Sequence, residues 1–544
     1  MADTLANPLY YLDNFRHVLS WVGARHHDLL NEAEQDFIAT FPTLPQAAQA
    51  LLVRMVMRKG ELFRASRLSY AEIGDTHSAA RPLAEQGWIQ PEPPLSLDQL
   101  ANLLRKDELA TAFSQSTSKL RKEELLAALQ NDATATPRPL SEWWPASNDQ
   151  IYALTVNALC DRLRLLYFGN LHQDWSTFVL ADLGIFQYEQ VPLTTAARAF
   201  QSRADIDHYL ELYALRERLH EGEPCADIIS ALPDTSPNPW LAQRRHRLLF
   251  QLGQQQEKTQ DWPAALHSYN ASHYPGARAR RIRVLEKLED FAAAHALACE
   301  ASTTPESEEE AQAIQRVLPR LRRQLKLPAQ AKAITPEIPT FTLSLPADPE
   351  QRVEALVLQH FHRDEAPVFY VENALINSLF GLLCWPAIFA PLPGAFFHPY
   401  QSGPADLHAP DFANRRADML SERLSLLENG GYQEAIWQSW REKQGMESPF
   451  VFWGLLDEAL LTLALDCIPS THLRLLFTRL LSDIAANRSG FPDLIQFWPA
   501  EQRYQMLEVK GPGDRVQDNQ RRWLDYCLRH GLPVAVCHVM WATP

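Results

Sequence analysis

Large apolar residues near the start of the chain recur with helical spacing. Tyr10, Tyr11, Phe15, Val18, Leu19 and Val22 fall on one face of a helical period. Helix-like runs continue from Phe37 to about Gln90, where Gly87 breaks the pattern and Trp88-Ile89 opens a short strand. Two leucine-rich helices follow between Leu95 and Gln130. Residues 131–149 carry three prolines and read as a linker or an ordered loop. Ile151–Phe168 reads as a helix, and helix pairs run from Asn238 to about Lys326, with an acidic loop at Ser302–Glu310. The proline-rich stretch Ile334–Glu350 marks a boundary, after which Phe369–Phe389 reads as an apolar helix with one acid, Glu372, near its start. The period then changes. Two short apolar runs, Leu494–Trp498 and Tyr504–Val509, flank Pro499-Ala500-Glu501-Gln502 and predict a β-hairpin. A helix over Asp514–Arg529 and a strand over Val534–Met540 complete the pattern, the helix serving as the crossover between parallel strands.

A chain of 544 residues exceeds what one core accommodates, so several domains are expected. The breaks place them at 1–145, 146–235, 236–345 and 346–544. The fold class expected is multidomain and mainly α, closed by a C-terminal α/β domain. Asp3 and Asp13 interrupt the N-terminus, so no signal peptide is read there, and no stretch approaches a membrane span. The seven cysteines are odd in number and scattered, with no Cys-x-x-Cys pair, which excludes a disulfide framework or zinc ribbon and fits a cytoplasmic chain with reduced thiols.

The net charge of −15 disfavours nucleic acid only if charge is averaged over the whole chain. Arg54, Arg58, Lys59, Arg64 and Arg67 stand against a single acid, Glu61. Arg278, Arg280, Arg281, Arg283 and Lys287 form a second cluster; Arg515, Arg521, Arg522 and Arg529 decorate the C-terminal helix. Each cluster fits phosphate contact and fits a solvated helix face equally well.

The hairpin carries the chemistry. Antiparallel pairing brings Asp493, at the start of one strand, beside Glu508, near the end of the next. Lys510 shares the face of Glu508, since strand side chains repeat every second residue. Two carboxylates and a lysine at one rim suit metal-assisted phosphodiester hydrolysis. The carboxylates hold one or two Mg²⁺ or Mn²⁺ ions through hard oxygen ligands, the Val509 carbonyl is a further candidate ligand, and Lys510 orients water or neutralises developing charge.

A Pro-Asp, a spacer and then Glu-x-Lys resembles the PD-(D/E)xK nuclease superfamily, with its restriction-endonuclease-like fold. The run LEVKGPGDRVQDNQRRWLDYCLRHGLPVAVCHV narrows the resemblance to the VRR-nuclease module, with Gln520 at that module's supporting helix glutamine. Two further blocks, Leu51–Ile73 and Leu166–Glu189, resemble the Fanconi-associated nuclease family, so the likeness spans nearly the whole chain. In that setting residues up to Gln90 resemble a winged helix. The Leu95–Gln130 segment resembles a SAP-type DNA-binding module in which Lys119, Arg121 and Lys122 would face phosphate. DWPAALHSYNAS and DFAAAHALACEAS resemble two tetratricopeptide-like units. The resemblance also implies that Glu372 joins Asp493 and Glu508 as a metal ligand. His398 and His472 are read as structural.

The function implied is structure-specific cutting of 5′ flaps in DNA, with 5′→3′ exonuclease action, in interstrand crosslink repair. The partner implied is branched or flapped DNA. Eukaryotic relatives carry an N-terminal ubiquitin-binding zinc finger; no cysteine precedes Cys160, so neither that finger nor ubiquitin binding is expected, and the chain reads as bacterial. Two alternatives remain at this stage: a helical-repeat interaction protein with an inactive nuclease domain, and a sequence-specific restriction-type endonuclease.

Overall fold

A computed structural model describes residues 7–113, 121–132, 136–173, 175, 186–329 and 337–542. The chain divides into two compact units. One comprises residues 1–186 with 200–203; the other comprises residues 187–199 with 204–544.

In the first unit, helices Tyr10–His26, Glu32–Thr40 and Gln46–Val56 bury the apolar face predicted for the start of the chain, including Phe15, Val18 and Val22. Asn31 caps the second helix: its side chain accepts from the Glu34 N–H, and the Glu34 carboxylate accepts from the Asn31 N–H. That same carboxylate is fully buried and is neutralised by Arg162 and Arg203. A three-stranded antiparallel sheet follows, ordered β1 (Leu62–Arg64), β3 (Ile151–Leu154), β2 (Ile89–Pro91). Here the helix expected over Ile151–Phe168 is corrected: its first four residues form the central strand, and the helix begins at Asn157. Ile151 and Leu154 sit in the core of a sheet that needs a middle strand, and that tertiary demand overrides the helical pattern.

In the second unit, helices Pro239–Lys258, Trp262–Asn270, Ala277–Lys287, Phe291–Thr303 and Glu308–Gln324 pack in succession. The repeat seen in sequence is also a repeat of turn chemistry. Gln260 and Glu289 both take a left-handed φ, of 61° and 60°, and each precedes an aspartate that caps the next helix. Buried Ala265, Ala294 and Ala298 allow close helix contact. Gly253 is closer still: a Cβ there would meet the Tyr269 ring at 2.6 Å.

The C-terminal part of this unit holds a five-stranded mixed sheet, ordered β4 (Thr340–Leu345), β8 (Val534–Trp541), β7 (Arg503–Lys510), β6 (Leu494–Trp498), β5 (Val368–Tyr370). β6 and β7 form the predicted hairpin, and β7 runs parallel to β8 across a helix that begins at Asp518. The chain before that helix stays in a loop because Asp514 accepts the Gly511 N–H and closes a turn. One sheet face packs on helix Val353–Phe361 through Leu494, Leu507 and Val509; the other packs Ile495, Phe497, Tyr504 and Met506 on a large helical cluster. The helix expected over Phe369–Phe389 is also corrected. Phe369 and Tyr370 end β5, Glu372 to Ala374 form a turn, and helix Leu375–Leu383 starts only afterwards. Among the described residues no single helix is long and apolar enough to cross a membrane.

Candidate active site

The pairing Leu494↔Leu507 sets the site. One step further out along each strand stand Asp493 and Glu508, on the face shared with Ile495 and Met506. The approach to Asp493 is fixed by a glycine. Gly490 has a φ of +93°, and a Cβ there would lie 2.7 Å from the Asn519 carbonyl carbon, so only glycine lets this segment run against helix Asp518–Arg529. Phe491 then packs on Trp523, the two rings tilted by 31° with centroids 4.0 Å apart. Asp493 is tied at both ends: its Oδ2 accepts the Val509 N–H at 2.8 Å, and its carbonyl accepts the Val371 N–H at 2.8 Å.

Glu508 is fully buried, and neither of its carboxylate oxygens has a hydrogen-bond partner in good geometry. Among the described residues its charge partner is Lys510, whose Nζ lies 2.7 Å from Oε1. Burial, reinforced by the neighbouring Asp493 charge, pushes Glu508 up to about 8 against the opposing pull of Lys510. Burial likewise pushes Asp493 up to about 6, although the Val509 N–H and Lys510 oppose it; Glu372 and Glu354 add repulsion. A buried carboxylate with unmet lone pairs beside a second carboxylate is a donor set for a hard cation, and the set fits Mg²⁺ or Mn²⁺ by its oxygen chemistry. Among the described residues no three acidic, histidine or cysteine side chains are drawn together as closely as a bound ion would hold them. Glu372, in the turn after β5, is half-buried and held by Tyr370 and Asn373.

Three regions of the chain match known domain families: residues 9–90 the HTH domain of FAN1, 94–143 the Fanconi anemia-associated nuclease SAP domain, and 427–541 the VRR-NUC domain. A Fanconi-associated nuclease 1 homolog of Pseudomonas aeruginosa is 54% identical over 99% of this chain and 97% of its own length. The chain belongs to the Fanconi-associated nuclease family. It is a nuclease with a VRR-NUC catalytic domain. A relative from Oryza sativa subsp. japonica is 26% identical across 97% of this chain, which spans 62% of that longer protein. The crystal structure of paFAN1 bound to 2nt 5′flap DNA with gap superposes with a TM-score of 0.88 at 54% identity, covering 99% of both chains.

Within this nuclease, the cations singled out from sequence divide by environment. Arg64 is buried and engaged by Glu108 at 2.6 Å and Asp149 at 2.7 Å. Arg54 pairs with Glu72 at 2.5 Å and lies over the Tyr11 ring at 3.9 Å. Lys122 donates to the Leu104 carbonyl. The charges of Arg64 and Arg54 are thus met by acids inside the unit, and Lys122 is held by a backbone carbonyl. Arg521 and Arg522 are half-buried and pair with Asp525 and Glu309. Arg58, Lys59, Arg67, Arg121 and Arg515 are exposed. Lys119 lies outside the described residues. Gln520 is buried and caps its helix by accepting the Gln517 N–H at 2.9 Å. His472 bonds the Tyr504 hydroxyl at 2.9 Å, which fits the structural role read for it. Sequence reading missed Tyr370 and Asn373, the partners of Glu372; the Asn directly after an acid, at a strand-to-helix junction, was the available signal.

Proposed function

We propose that this chain is a structure-specific DNA endonuclease that cuts 5′ flaps by metal-dependent phosphodiester hydrolysis, with 5′→3′ exonuclease action, in interstrand crosslink repair in the bacterial cytoplasm. The observation that carries the proposal is the Asp493–Glu508–Lys510 rim, in which a fully buried carboxylate stands beside a second carboxylate with the Lys510 ammonium 2.7 Å away. The family's other members and the flap DNA bound by paFAN1 support the choice of substrate.

Glu372, Asp493 and Glu508, with the Val509 carbonyl, would hold one or two Mn²⁺ or Mg²⁺ ions. The bound cation would polarise the phosphoryl oxygen and acidify water at neutral pH. Asp493 is positioned for its part by the Val509 N–H, which fixes one carboxylate oxygen and leaves the other free. Lys510, its Nζ 2.7 Å from Glu508 Oε1, would orient the attacking water or meet charge on the phosphate. Exposed Arg58, Lys59, Arg67, Arg121 and Arg515 supply phosphate contacts that position duplex arms without reading sequence. The test compares a 5′ flap with plain duplex in Mn²⁺. Cutting confined to the junction supports the reading. Cutting at fixed sequences would indicate a restriction-type enzyme, and no cutting an interaction protein with an inactive nuclease domain.

A further inference from the structure

Metal sites depend on groups that orient the ligands as much as on the ligands themselves. Glu372 is the ligand candidate that stands on neither hairpin strand, so something must hold it toward Asp493. Its carboxylate receives one donor on each oxygen: the Tyr370 hydroxyl reaches Oε2 at 2.5 Å, and Asn373 Nδ2 reaches Oε1 at 3.2 Å. Each oxygen keeps a further lone pair for a cation.

Asn373 does more than donate. It sits at a φ of +52°, the left-handed region that asparagine tolerates better than most residues. Its Oδ1 accepts the Phe491 N–H at 3.1 Å, two residues before Asp493. This acceptor role identifies the amide's oxygen, so the nitrogen is the end presented to Glu372. Its carbonyl accepts from Asn377 Nδ2 at 2.7 Å, and the same nitrogen reaches the Arg488 carbonyl at 2.9 Å. The Val371 N–H to Asp493 carbonyl bond closes the arrangement. Both ligand-bearing segments therefore meet at one amide group.

We infer that Asn373 is a positioning residue of the metal site: its amide clamps the Glu372 turn to the Phe491–Asp493 segment and sets the spacing of the two carboxylates. This inference rests on the proposed reading of Glu372 and Asp493 as metal ligands. Two substitutions separate its parts. Asn373→Gly keeps the left-handed φ and removes both side-chain bonds. Asn373→Asp keeps the φ and the acceptor for Phe491, and replaces the donor to Glu372 with a repelling oxygen.

The full-length chain is titrated with Mn²⁺ without DNA, following the melting temperature, and assayed on a 5′ flap for kcat and KM. Both variants are expected to need about tenfold or more Mn²⁺ for half-saturation and to lose about 10- to 100-fold in kcat at limiting Mn²⁺, with KM for the flap unchanged. Metal-free melting of Asn373→Asp should stay near that of the unaltered chain, which separates positioning from folding. If Asn373→Gly does not fold, Asn373→Asp decides. Unaltered Mn²⁺ dependence and kcat in Asn373→Asp overturns the inference. Failure of the underlying functional reading shows differently: the unaltered chain leaves the flap uncut, while the Mn²⁺ titration still reports on the clamp.

Discussion

Replacing Glu508 with glutamine should abolish cleavage and yet make the metal-free protein more stable. The carboxyl group is fully buried, and among the described residues no backbone N–H donates to it. Burial raises it from the usual 4.5 to about 8. A group whose folded pKa is raised holds its proton more tightly in the folded chain. The stability this provides is complete below about pH 4.5 and is lost progressively as pH rises to about 8. At about 1.4 kcal/mol per unit the upper limit is about 4–5 kcal/mol. Lys510 offsets part of the cost in the native chain, and in the variant it keeps only Asp493 nearby. A net gain of about 1–3 kcal/mol at pH 8 is the reasonable expectation, and a rise in melting temperature of about 2–6 °C for a unit of this size. The assay is thermal melting of chelator-treated protein between pH 5 and pH 8, for the unaltered chain and Glu508→Gln. The gap should widen as pH rises, because only the unaltered chain must ionise a buried carboxyl. Adding Mn²⁺ should close or reverse it, because the cation stabilises only the form that binds it. A variant that melts below the unaltered chain at pH 8, with a gap independent of pH, would refute the reasoning.

Further outcomes follow from the same geometry. Glu372→Gln should lower 5′-flap cleavage by orders of magnitude while flap binding in Ca²⁺ survives, and Glu365→Gln, in the loop before β5, should cut normally; gel-resolved cleavage and fluorescence anisotropy check both. Arg64→Ala should destabilise its unit by about 1–3 kcal/mol in denaturant unfolding, since it removes the buried guanidinium that joins Glu108 to Asp149, while Arg105 and Ser66 still donate to those carboxylates. Replacing Arg58, Lys59 and Arg67 together with alanine should leave stability nearly unchanged but weaken DNA binding and flatten its dependence on salt, read by anisotropy at several salt concentrations, because each lost phosphate contact releases fewer counterions. Gly253→Ala should lower the melting temperature, since its Cβ would collide with the buried Tyr269 ring at 2.6 Å.

The parts of this molecule that were legible in the sequence are those whose determinants are local. The hairpin, its register, and the facing of Asp493 and Glu508 follow from two short apolar runs and a turn, and the parallel strand after a helix follows from crossover geometry. The parts that misled depend on partners far away in the chain. Ile151–Leu154 looks helical beside the residues that follow it, but becomes a strand because β1 and β2 lie on either side. Glu372 looks like the first-turn acid of a helix, but sits in a turn whose shape is dictated by the 488–493 segment.

The basic cluster at Arg54–Arg67 shows the same limit for charge. Counting cations over this stretch suggests one phosphate-binding face, yet its members have different duties. Arg64 meets acids 44 and 85 residues away in sequence, and Arg54 meets one 18 residues away. Local composition could not reveal those partners, because only the fold brings them together. What a charged cluster can offer to a polyanion is therefore the remainder after pairing with acids, and the exposed members here are Arg58, Lys59 and Arg67, the ones proposed to contact DNA. On that proposal, a net charge of −15 is compatible with a nucleic-acid substrate. Much of the positive charge braces the protein against its own acids, and a few exposed cations on each segment suffice to track a phosphate backbone.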